Sequence, residues 1–252
     1  MTVKLKELPI RLLNSVFDIL SDEKIVQVVF NIISHRAKSR PATEALKFLF
    51  KLDTMLYHLQ GRISIVYDRG IHPKHRLMNY HDFFIQRITE NDRVLDIGCG
   101  IGAVAYDVAK DTGAQVLGID INADNIRTAK ERYQHPRLEF RMGDALKTLP
   151  NEKYSLVMLS NVLEHLPGRP AFLRRVQEVA QPSRFLIRVP LFERDWRVPL
   201  KKEVGVEWRL DDTHEIEYTL ETFASEMQEA GLTVKHLEVR WGEIWAELFP
   251  SE

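Results

Sequence analysis

The chemistry that this sequence offers begins in a glycine-rich segment, Asp96-Ile97-Gly98-Cys99-Gly100-Ile101-Gly102. It follows a short apolar run at residues 94–97 and precedes a segment with helical character. Glycines at such a junction allow a sharp turn and let the backbone approach a ligand closely at a helix N-terminus. The carboxylate of Asp96 would repel a pyrophosphate, but it suits a ligand that carries an ammonium group. The segment therefore predicts a site for a cationic, nucleotide-like ligand.

Two more acids follow the next apolar runs of the chain. Asp120 ends the run at residues 115–120, where an acid can accept hydrogen bonds from ribose hydroxyls. Asp144 follows the run at residues 138–142 and could accept a hydrogen bond from an adenine amine, although a lone acid there is more often a turn or helix cap. Because the carboxyl ends of parallel strands meet in one crevice, the three acids together indicate a single site.

A third set of candidates is Glu164 and His165, after the fourth apolar run, with His214 near the last helix. A histidine is the general base that a hydroxyl-bearing substrate would need, while any single histidine is more often structural. The three side chains could also share one divalent metal. Cys99 has no activating partner in view, so we expect it to pack rather than to react.

The elements that must position these residues alternate between strand and helix from about residue 92 to residue 189. Such repeats predict a parallel sheet covered by helices on both faces. Two final strands, joined at Trp241-Gly242, must pair antiparallel. Residues 8–60 are predicted to be helical, with one helix beginning after Ser21 and another ending at Gly61, and with apolar faces for core or dimer packing.

The composition narrows the class of protein. The chain has 252 residues, 44% of them hydrophobic, so a sizeable core is expected without disulfides or a structural metal. The 35 basic and 36 acidic residues balance, which gives no indication of a nucleic-acid partner. The single cysteine, the absence of a long apolar run and the polar character of residues 1–11 predict a cytoplasmic protein.

Residues 94–102 resemble the first motif of the class I S-adenosylmethionine-dependent methyltransferases. The family's second-strand motif is similar to residues 116–120, and its adenine-contacting motif is similar to Gly143-Asp144-Ala145. Residues 154–166 resemble the family's fourth strand and the loop that lines the methyl-transfer site. Residues 218–249 resemble the end of the family's sheet. The resemblance covers roughly residues 75–250, and the first motif is its most specific part.

The resemblance implies an α/β fold: a Rossmann-like seven-stranded, mostly parallel sheet with an antiparallel C-terminal hairpin. Residues 1–75 would be a helical N-terminal extension and residues 76–252 the S-adenosylmethionine-binding methyltransferase domain. The glycine loop would hold the methionine moiety, Asp120 the ribose, Asp144 the adenine, and Asn161 the sulfonium side. Arg76, in a cationic stretch before the sheet, is expected near the methionine carboxylate. The predicted cofactor-binding residues are Asp96, Gly98, Gly100, Gly102, Asp120, Ile121, Asp144, Ala145, Asn161 and Arg76.

The function that follows is methyl transfer from S-adenosylmethionine to a small molecule, preferably at oxygen, with S-adenosylhomocysteine as the product. Nitrogen and carbon acceptors stay open. Catalysis is assigned to His165, His214 and Glu164. Some similar methyltransferases, which act on quinone precursors or RNA ends, carry an E-x-x-E-H metal-binding pattern after the fourth strand. In this sequence Asn161 replaces the first acid of that pattern. We therefore predict no metal and keep Glu164, His165 and His214 as an alternative set of metal ligands.

Other interpretations remain at this point. A nicotinamide-dependent oxidoreductase could use a similar sheet, but Asp96 and the G-x-G-x-G spacing argue against it. A catalytically silent S-adenosylmethionine-binding protein could act through its N-terminal helices, which could instead pair two copies of the chain. The long connection at residues 191–212, which contains Trp196 and Trp208, is typical of a lid or specificity loop.

Overall fold

The computed structural model of the protein describes residues 19–251. The predictions made for residues 1–18, which include the start of the helical region at residue 8, lie outside this range. The described chain forms two compact units. One contains residues 19–62 with Lys201–Val206, and the other contains Ile63–Leu200 with residues 207–251. The division groups residues 63–75 with the sheet, and the functional boundary at residue 75 stays a prediction.

Two helices contribute most of the first unit, α1 over Asp22–Lys38 and α2 over Ala42–Tyr67, the end of which continues into the second unit. Helix α1 begins after Ser21, as predicted, with Asp22 and Glu23 in its first turn. The predicted end of a helix at Gly61 is wrong, because α2 runs through that residue. A glycine ends a helix when its backbone turns left-handed, and Gly61 is not among the described glycines with positive φ. No side chain of α1 is fully buried.

The second unit contains the alternating strands and helices that the sequence predicted. Its remaining elements, in chain order, are α3 Lys74–Met78, α4 Tyr80–Ile85, β1 Arg93–Ile97, α5 Ala103–Thr112, β2 Gln115–Asp120, α6 Ala123–Arg132, β3 Leu138–Met142, β4 Leu156–Ser160, α7 Arg169–Ala180, β5 Arg184–Pro190, α8 Arg197–Glu203 (shared with the first unit), α9 Leu220–Glu229, β6 Leu232–Arg240 and β7 Glu243–Pro250. Two 3-10 turns lie at Leu163–His165 and Phe192–Arg194.

The sheet has seven strands in the order β3-β2-β1-β4-β5-β7-β6. Strands β1 to β5 are parallel, while β7 pairs antiparallel with both β5 and β6. The turn between β6 and β7 places Trp241 at φ 55° and Gly242 at φ 73°. Two consecutive left-handed residues give the turn type that matches the twist of a hairpin. The predicted mostly parallel sheet with its C-terminal hairpin is confirmed.

Strand residues alternate between two hydrophobic cores, one on each face of the sheet. On one face, Leu95, Val157 and Ile187 pack with side chains of α7 and α9. On the other, Val94, Leu156 and Leu186 pack with α4, α5 and α6. Burial of both faces explains why the strands read as continuous apolar runs. Among residues 19–251, no helix is both long and apolar enough to cross a membrane.

Candidate functional site

The glycine loop joins β1 to α5 at the carboxyl edge of the sheet, and its three glycines have left-handed backbones. A Cβ on Gly98 would lie 2.5 Å from Val162 Cγ2, and one on Gly102 would lie 2.4 Å from Phe140 Cζ. These two positions are therefore restricted to glycine by packing. Gly100 also has a positive φ of 55°, but a Cβ there would face open space. Its missing side chain leaves room for a ligand rather than for the protein's own core.

Asp120, at the end of β2, is buried and holds the loop in place. Its Oδ2 accepts a hydrogen bond of 2.8 Å from the Gly100 amide, and its Oδ1 accepts one of 2.8 Å from the Asn122 amide. Asn125 Nδ2 donates a third hydrogen bond, of 3.3 Å, to Oδ1. A carboxylate has about four acceptor positions, so Asp120 retains capacity for one ribose hydroxyl. The predicted ribose contact stays a prediction, and the structure adds a second role in shaping the loop.

Asp96 is 2% exposed at the end of β1. Burial, together with the negative charge of Asp120, raises the pKa of Asp96 to about 8. Such a group favours a cation beside it, because a positive charge stabilises the ionised carboxylate. The ammonium-binding role of Asp96 stays a prediction.

A mainly apolar cleft lies at the ends of β1 and β2. Ile121 is apolar and 68% exposed, and its predicted contact with the cofactor stays a prediction. Asp144 makes turn contacts, since its Oδ1 accepts from the Leu146 amide at 3.0 Å and its Oδ2 pairs with Lys147 Nζ at 3.0 Å. Lys147 lowers the pKa of Asp144. The cleft is lined by Ile97, Gly98, Ile119, Asp120, Ile121, Gly143, Ala145, Leu146, Val162 and Leu166.

Asn161 follows β4 with a left-handed backbone, φ 56°. Its side-chain oxygen accepts a hydrogen bond of 3.1 Å from Arg188 Nε, and its Nδ2 lies 3.5 Å from Glu243 Oε1. Asn161 thus belongs to a polar cluster at the ends of β4, β5 and β7. Its predicted place beside the sulfonium stays a prediction.

The structure brings Glu164, His165 and His214 together, although His214 is remote from the other two in sequence. One ligand atom from each lies within 4.8 Å of those of the other two. The rings of His165 and His214 are perpendicular, with centroids 4.5 Å apart. The Glu215 amide donates to the Glu164 carbonyl at 2.7 Å, which fixes the two segments against each other.

Each member of this triad, by which we mean Glu164, His165 and His214, has a distinct state. Glu164 is 1% exposed, and its Oε2 is buried with no hydrogen-bond partner among the described residues. Burial raises the pKa of Glu164 to about 8. Burial and the neighbouring His214 lower the pKa of His165. His165, beside the unpartnered Oε2 of Glu164, can accept a proton, and the three side chains together can bind a cation. The ring of His214 is oriented by Glu217, whose Oε1 lies 3.0 Å from His214 Nδ1.

Arg76 and Cys99, two further residues considered in the sequence analysis, lie outside the triad. Arg76 is half-exposed and pairs with Asp68, its Nε 3.0 Å from the carboxylate. Its contact with a methionine carboxylate stays a prediction. Cys99 is partly buried, and burial raises the pKa of its thiol, which suppresses the reactive thiolate. The packing role expected for Cys99 agrees with its position against Gly118, where an added Cβ would lie 3.0 Å from Cys99 Sγ.

Sequence reasoning missed the polar residues that surround Asn161. Arg188 lies within an apolar strand, is 3% exposed and contacts the Tyr80 ring face at 3.6 Å from its centroid. Glu243 Oε2 lies 3.3 Å from Arg188 Nε and accepts from Trp245 Nε1 at 3.1 Å. The signal available in the sequence was a lone arginine inside a run predicted to be buried on both faces. Such a charge requires a partner and indicates a site.

The sequence of this chain is similar to those of known proteins. Residues 67–237 match the family model described as a methyltransferase domain. The chain is 33% identical over 150 residues to a ubiquinone biosynthesis O-methyltransferase of Rhodopseudomonas palustris, covering 56% of this chain and 58% of that protein. It is 33% identical over 129 residues to the protein of the same name from a Bradyrhizobium species, covering 49% and 50%. The chain therefore matches only about half the length of these curated relatives.

Solved structures share the fold at lower identity. The magnesium protoporphyrin IX methyltransferase of Synechocystis PCC 6803 with bound SAH superposes with a TM-score of 0.55 at 17% identity, covering 69% of this chain and 81% of that one. The mitomycin 7-O-methyltransferase superposes with a TM-score of 0.58 at 18% identity, covering 78% and 60%. These likenesses concern the sheet and its helices.

Proposed function

This chain belongs to the class I S-adenosylmethionine-dependent methyltransferase family, and from that premise we propose that it transfers the donor's methyl group to an oxygen of a small-molecule acceptor. The observation that carries the choice of oxygen is the triad, where His165, a histidine with a lowered pKa, lies beside Glu164, whose Oε2 has no hydrogen-bond partner among the described residues. An oxygen acceptor has a proton to lose, and the triad offers groups that can take it. The names of the curated relatives, O-methyltransferases, support the same choice.

The donor would occupy the crevice at the ends of β1, β2 and β3. Asp96 would face its ammonium group, Asp120 its ribose, and Ile121 and Ala145 its adenine. Gly100 leaves the loop open for the methionine moiety. S-adenosylmethionine supplies an electrophilic methyl group on a sulfonium. What the chain contributes is alignment of donor and acceptor and exclusion of water.

In this proposal His165 accepts the acceptor's hydroxyl proton. Its Nδ1 lies 2.9 Å from Thr213 Oγ1, which fixes the ring and leaves Nε2 as the atom available to the acceptor. His214 is held by Glu217, and Glu217 also forms an ion pair with Arg194. The histidine pair is therefore anchored from the segment that precedes α9.

The same triad fits a divalent cation. The unpartnered Glu164 Oε2 and two histidine nitrogens are the donors that such ions bind in proteins. A bound cation would lower the pKa of an acceptor hydroxyl. We keep the histidine base without a metal as the primary proposal, since Asn161 replaces the first acid of the related ligand pattern.

The proposal is tested with catechols as acceptors and S-adenosylmethionine as donor, with and without a chelator. We expect methyl transfer to oxygen, with kcat reduced at least about 100-fold in His165→Gln, the usual contribution of a general base. The control is His236→Gln, because His236 is a surface histidine on β6. Transfer only to nitrogen or carbon acceptors would contradict the oxygen assignment, and loss of activity on chelation would favour the cation.

Two wider expectations belong to the same proposal. The protein would act in the cytoplasm, and two copies would pair through α1 and α2, on which large apolar side chains such as Phe30 and Met55 are more than half exposed. Light scattering should then give twice the chain mass, and Phe30→Glu should give the single-chain mass. Tight S-adenosylhomocysteine binding without turnover of any acceptor would favour the catalytically silent alternative.

A further inference from the structure

Arg188 is a guanidinium with an unused hydrogen-bond donor in the interior of the protein. It is 3% exposed, and its Nη1 is buried with no hydrogen-bond partner among the described residues. Its Nε is already engaged, at 3.1 Å from Asn161 Oδ1 and 3.3 Å from Glu243 Oε2. The Tyr80 ring covers one face of the guanidinium at 3.6 Å. A buried charged donor without an acceptor is destabilising, so Arg188 Nη1 is a candidate contact for a ligand atom.

The charges around Arg188 favour an anion as that ligand. Lys74 lies close enough for Arg188 to lower its pKa, after the larger effect of burial. Glu243 is the acid that pairs with Arg188, and it also accepts from Trp245 Nε1. Glu164, the other acid near Lys74, belongs to the triad with His165 and His214. Glu164 also faces Arg188, which lowers its pKa, but burial has the larger effect and raises that pKa to about 8, so Glu243 is the acid that pairs with Arg188 while Glu164 keeps its proton at neutral pH.

Arg188 lies on a different strand from the one that leads into the glycine loop. Arg188 is on β5, and β4 lies between β5 and β1, the strand that leads into the glycine loop. Neighbouring strands are about 4.8 Å apart, so β5 is about 10 Å from β1. Asn161 and Glu164, which follow β4, connect the Arg188 cluster to the triad. An anion held by Arg188 would therefore lie on the acceptor side.

We propose that Arg188 anchors a carboxylate-binding subsite, and that the acceptor of this methyltransferase carries a carboxylate as well as the hydroxyl that is methylated. The guanidinium, fixed on its flat side by Tyr80 and at Nε by Asn161, offers its remaining N–H groups in one plane. A carboxylate matches that arrangement with parallel hydrogen bonds. This inference rests on the proposed function only for the statement that a hydroxyl is methylated. Binding of a carboxylate to the subsite can be measured without any methyl transfer.

The experiment is calorimetry on the full chain saturated with S-adenosylhomocysteine, with 3,4-dihydroxybenzoate and 3,4-dihydroxybenzamide as probes. The two probes have the same shape and differ in the charge of one substituent. We expect the benzoate to bind at least about tenfold more tightly, in line with hydrogen bonds to charged groups. Arg188→Gln should bring the ratio of the two affinities close to one, and Lys74→Gln, outside the sheet, should reduce it. The matched control is Arg87→Gln, because Arg87 also lies over an aromatic ring, Phe83 at 4.2 Å, and beside a carboxylate, Glu247 at 3.8 Å.

Equal affinity for the two probes, or no binding of the benzoate at millimolar concentration, overturns the inference. So does an unchanged ratio in Arg188→Gln or, should that variant not fold, in Lys74→Gln. If these variants instead lose affinity for S-adenosylhomocysteine while the ratio persists, the anion is the donor's own carboxylate and the acceptor subsite is rejected. Carboxylate-dependent binding without any methyl transfer would overturn the proposed activity and leave the subsite standing.

Discussion

At the scale of single residues, the site is defined by carboxyl groups whose surroundings differ. Asp96 is buried next to Asp120 and has a raised pKa, whereas Asp144 is stabilised as an anion by Lys147. Residue type and spacing select all three acids as candidate site residues, and their contacts with a cofactor stay a prediction. Their different states could not be predicted, because they depend on burial and on neighbours that only the folded chain supplies.

The raised pKa of Asp96 predicts that donor affinity depends on pH. In the free protein the carboxyl binds a proton below about pH 8, while the donor's ammonium group favours the ionised form. Affinity should therefore rise from pH 6 towards pH 8, approaching about tenfold per unit where binding must release the proton. Calorimetry with S-adenosylhomocysteine measures this slope. In Asp96→Asn binding should be weaker and the slope absent; a slope that persists would assign it to another group.

Asp120 permits a second test at this scale. Its removal eliminates acceptors for the Gly100 and Asn122 amides together with the proposed ribose contact. Asp120→Ala should weaken S-adenosylhomocysteine binding at least about tenfold, since each hydrogen bond to a charged group contributes about 1.5–3 kcal/mol. Asp124→Ala is the control, because Asp124 lies nearby on α6 with its side chain 75% exposed. Unchanged affinity in Asp120→Ala would mean that the donor binds elsewhere.

At the scale of elements, two glycines of the same loop are expected to have different roles, one in the stability of the fold and one in donor binding. Gly102→Ala would force a Cβ to within 2.4 Å of the Phe140 ring and should lower the free energy of unfolding by about 1–3 kcal/mol. Gly100→Ala meets no protein atom within 4 Å, so its cost is only that of a left-handed alanine, about 1–2 kcal/mol. We expect Gly100→Ala to remain folded and to lose donor affinity.

Gly168→Ala is the control for this pair. It also has a positive φ, 59°, with nothing within 4 Å of the added Cβ, and it lies at the start of α7 outside the proposed donor crevice. Denaturant unfolding and calorimetry should show a similar loss of stability for Gly100→Ala and Gly168→Ala, but a loss of affinity only for the first. Equal affinity in both variants would show that the space beside Gly100 is not used by the donor.

The same elements show what local sequence can and cannot predict. The strands and the Trp241-Gly242 hairpin follow from apolar runs and turn residues that are adjacent in the chain. The end of α2 was predicted wrongly at Gly61. A glycine ends a helix only when its backbone turns left-handed, and the neighbouring sequence does not indicate that the helix continues through Gly61. The surroundings of Arg188 could not be predicted for a related reason, since its partner Glu243 comes from another strand and its partner Asn161 from the residue after β4.

At the scale of the whole molecule, a ligand that binds only the folded chain must stabilise it. S-adenosylhomocysteine at about 100 times its Kd should add about 2.7 kcal/mol. For a chain of this size that corresponds to a rise in Tm of roughly 5–10 °C. Reduced nicotinamide dinucleotide at the same concentration should leave Tm unchanged. A rise with the nicotinamide cofactor alone would favour the oxidoreductase over the methyltransferase.

The strand order has a consequence for how the protein is made. Strand β6 leaves the ribosome before β7, yet β7 lies between β5 and β6 in the finished sheet. While the chain is being synthesised, β5 therefore keeps an open edge, and Arg188 has no access to Glu243, until the final strand has emerged. The half of the sheet around β1, β2 and β3 can assemble earlier, because its strands follow one another with local crossovers. Nascent chains should thus assemble the half of the sheet with β1, β2 and β3 first, and the half with β5, β7 and β6 would close only after translation has passed residue 250.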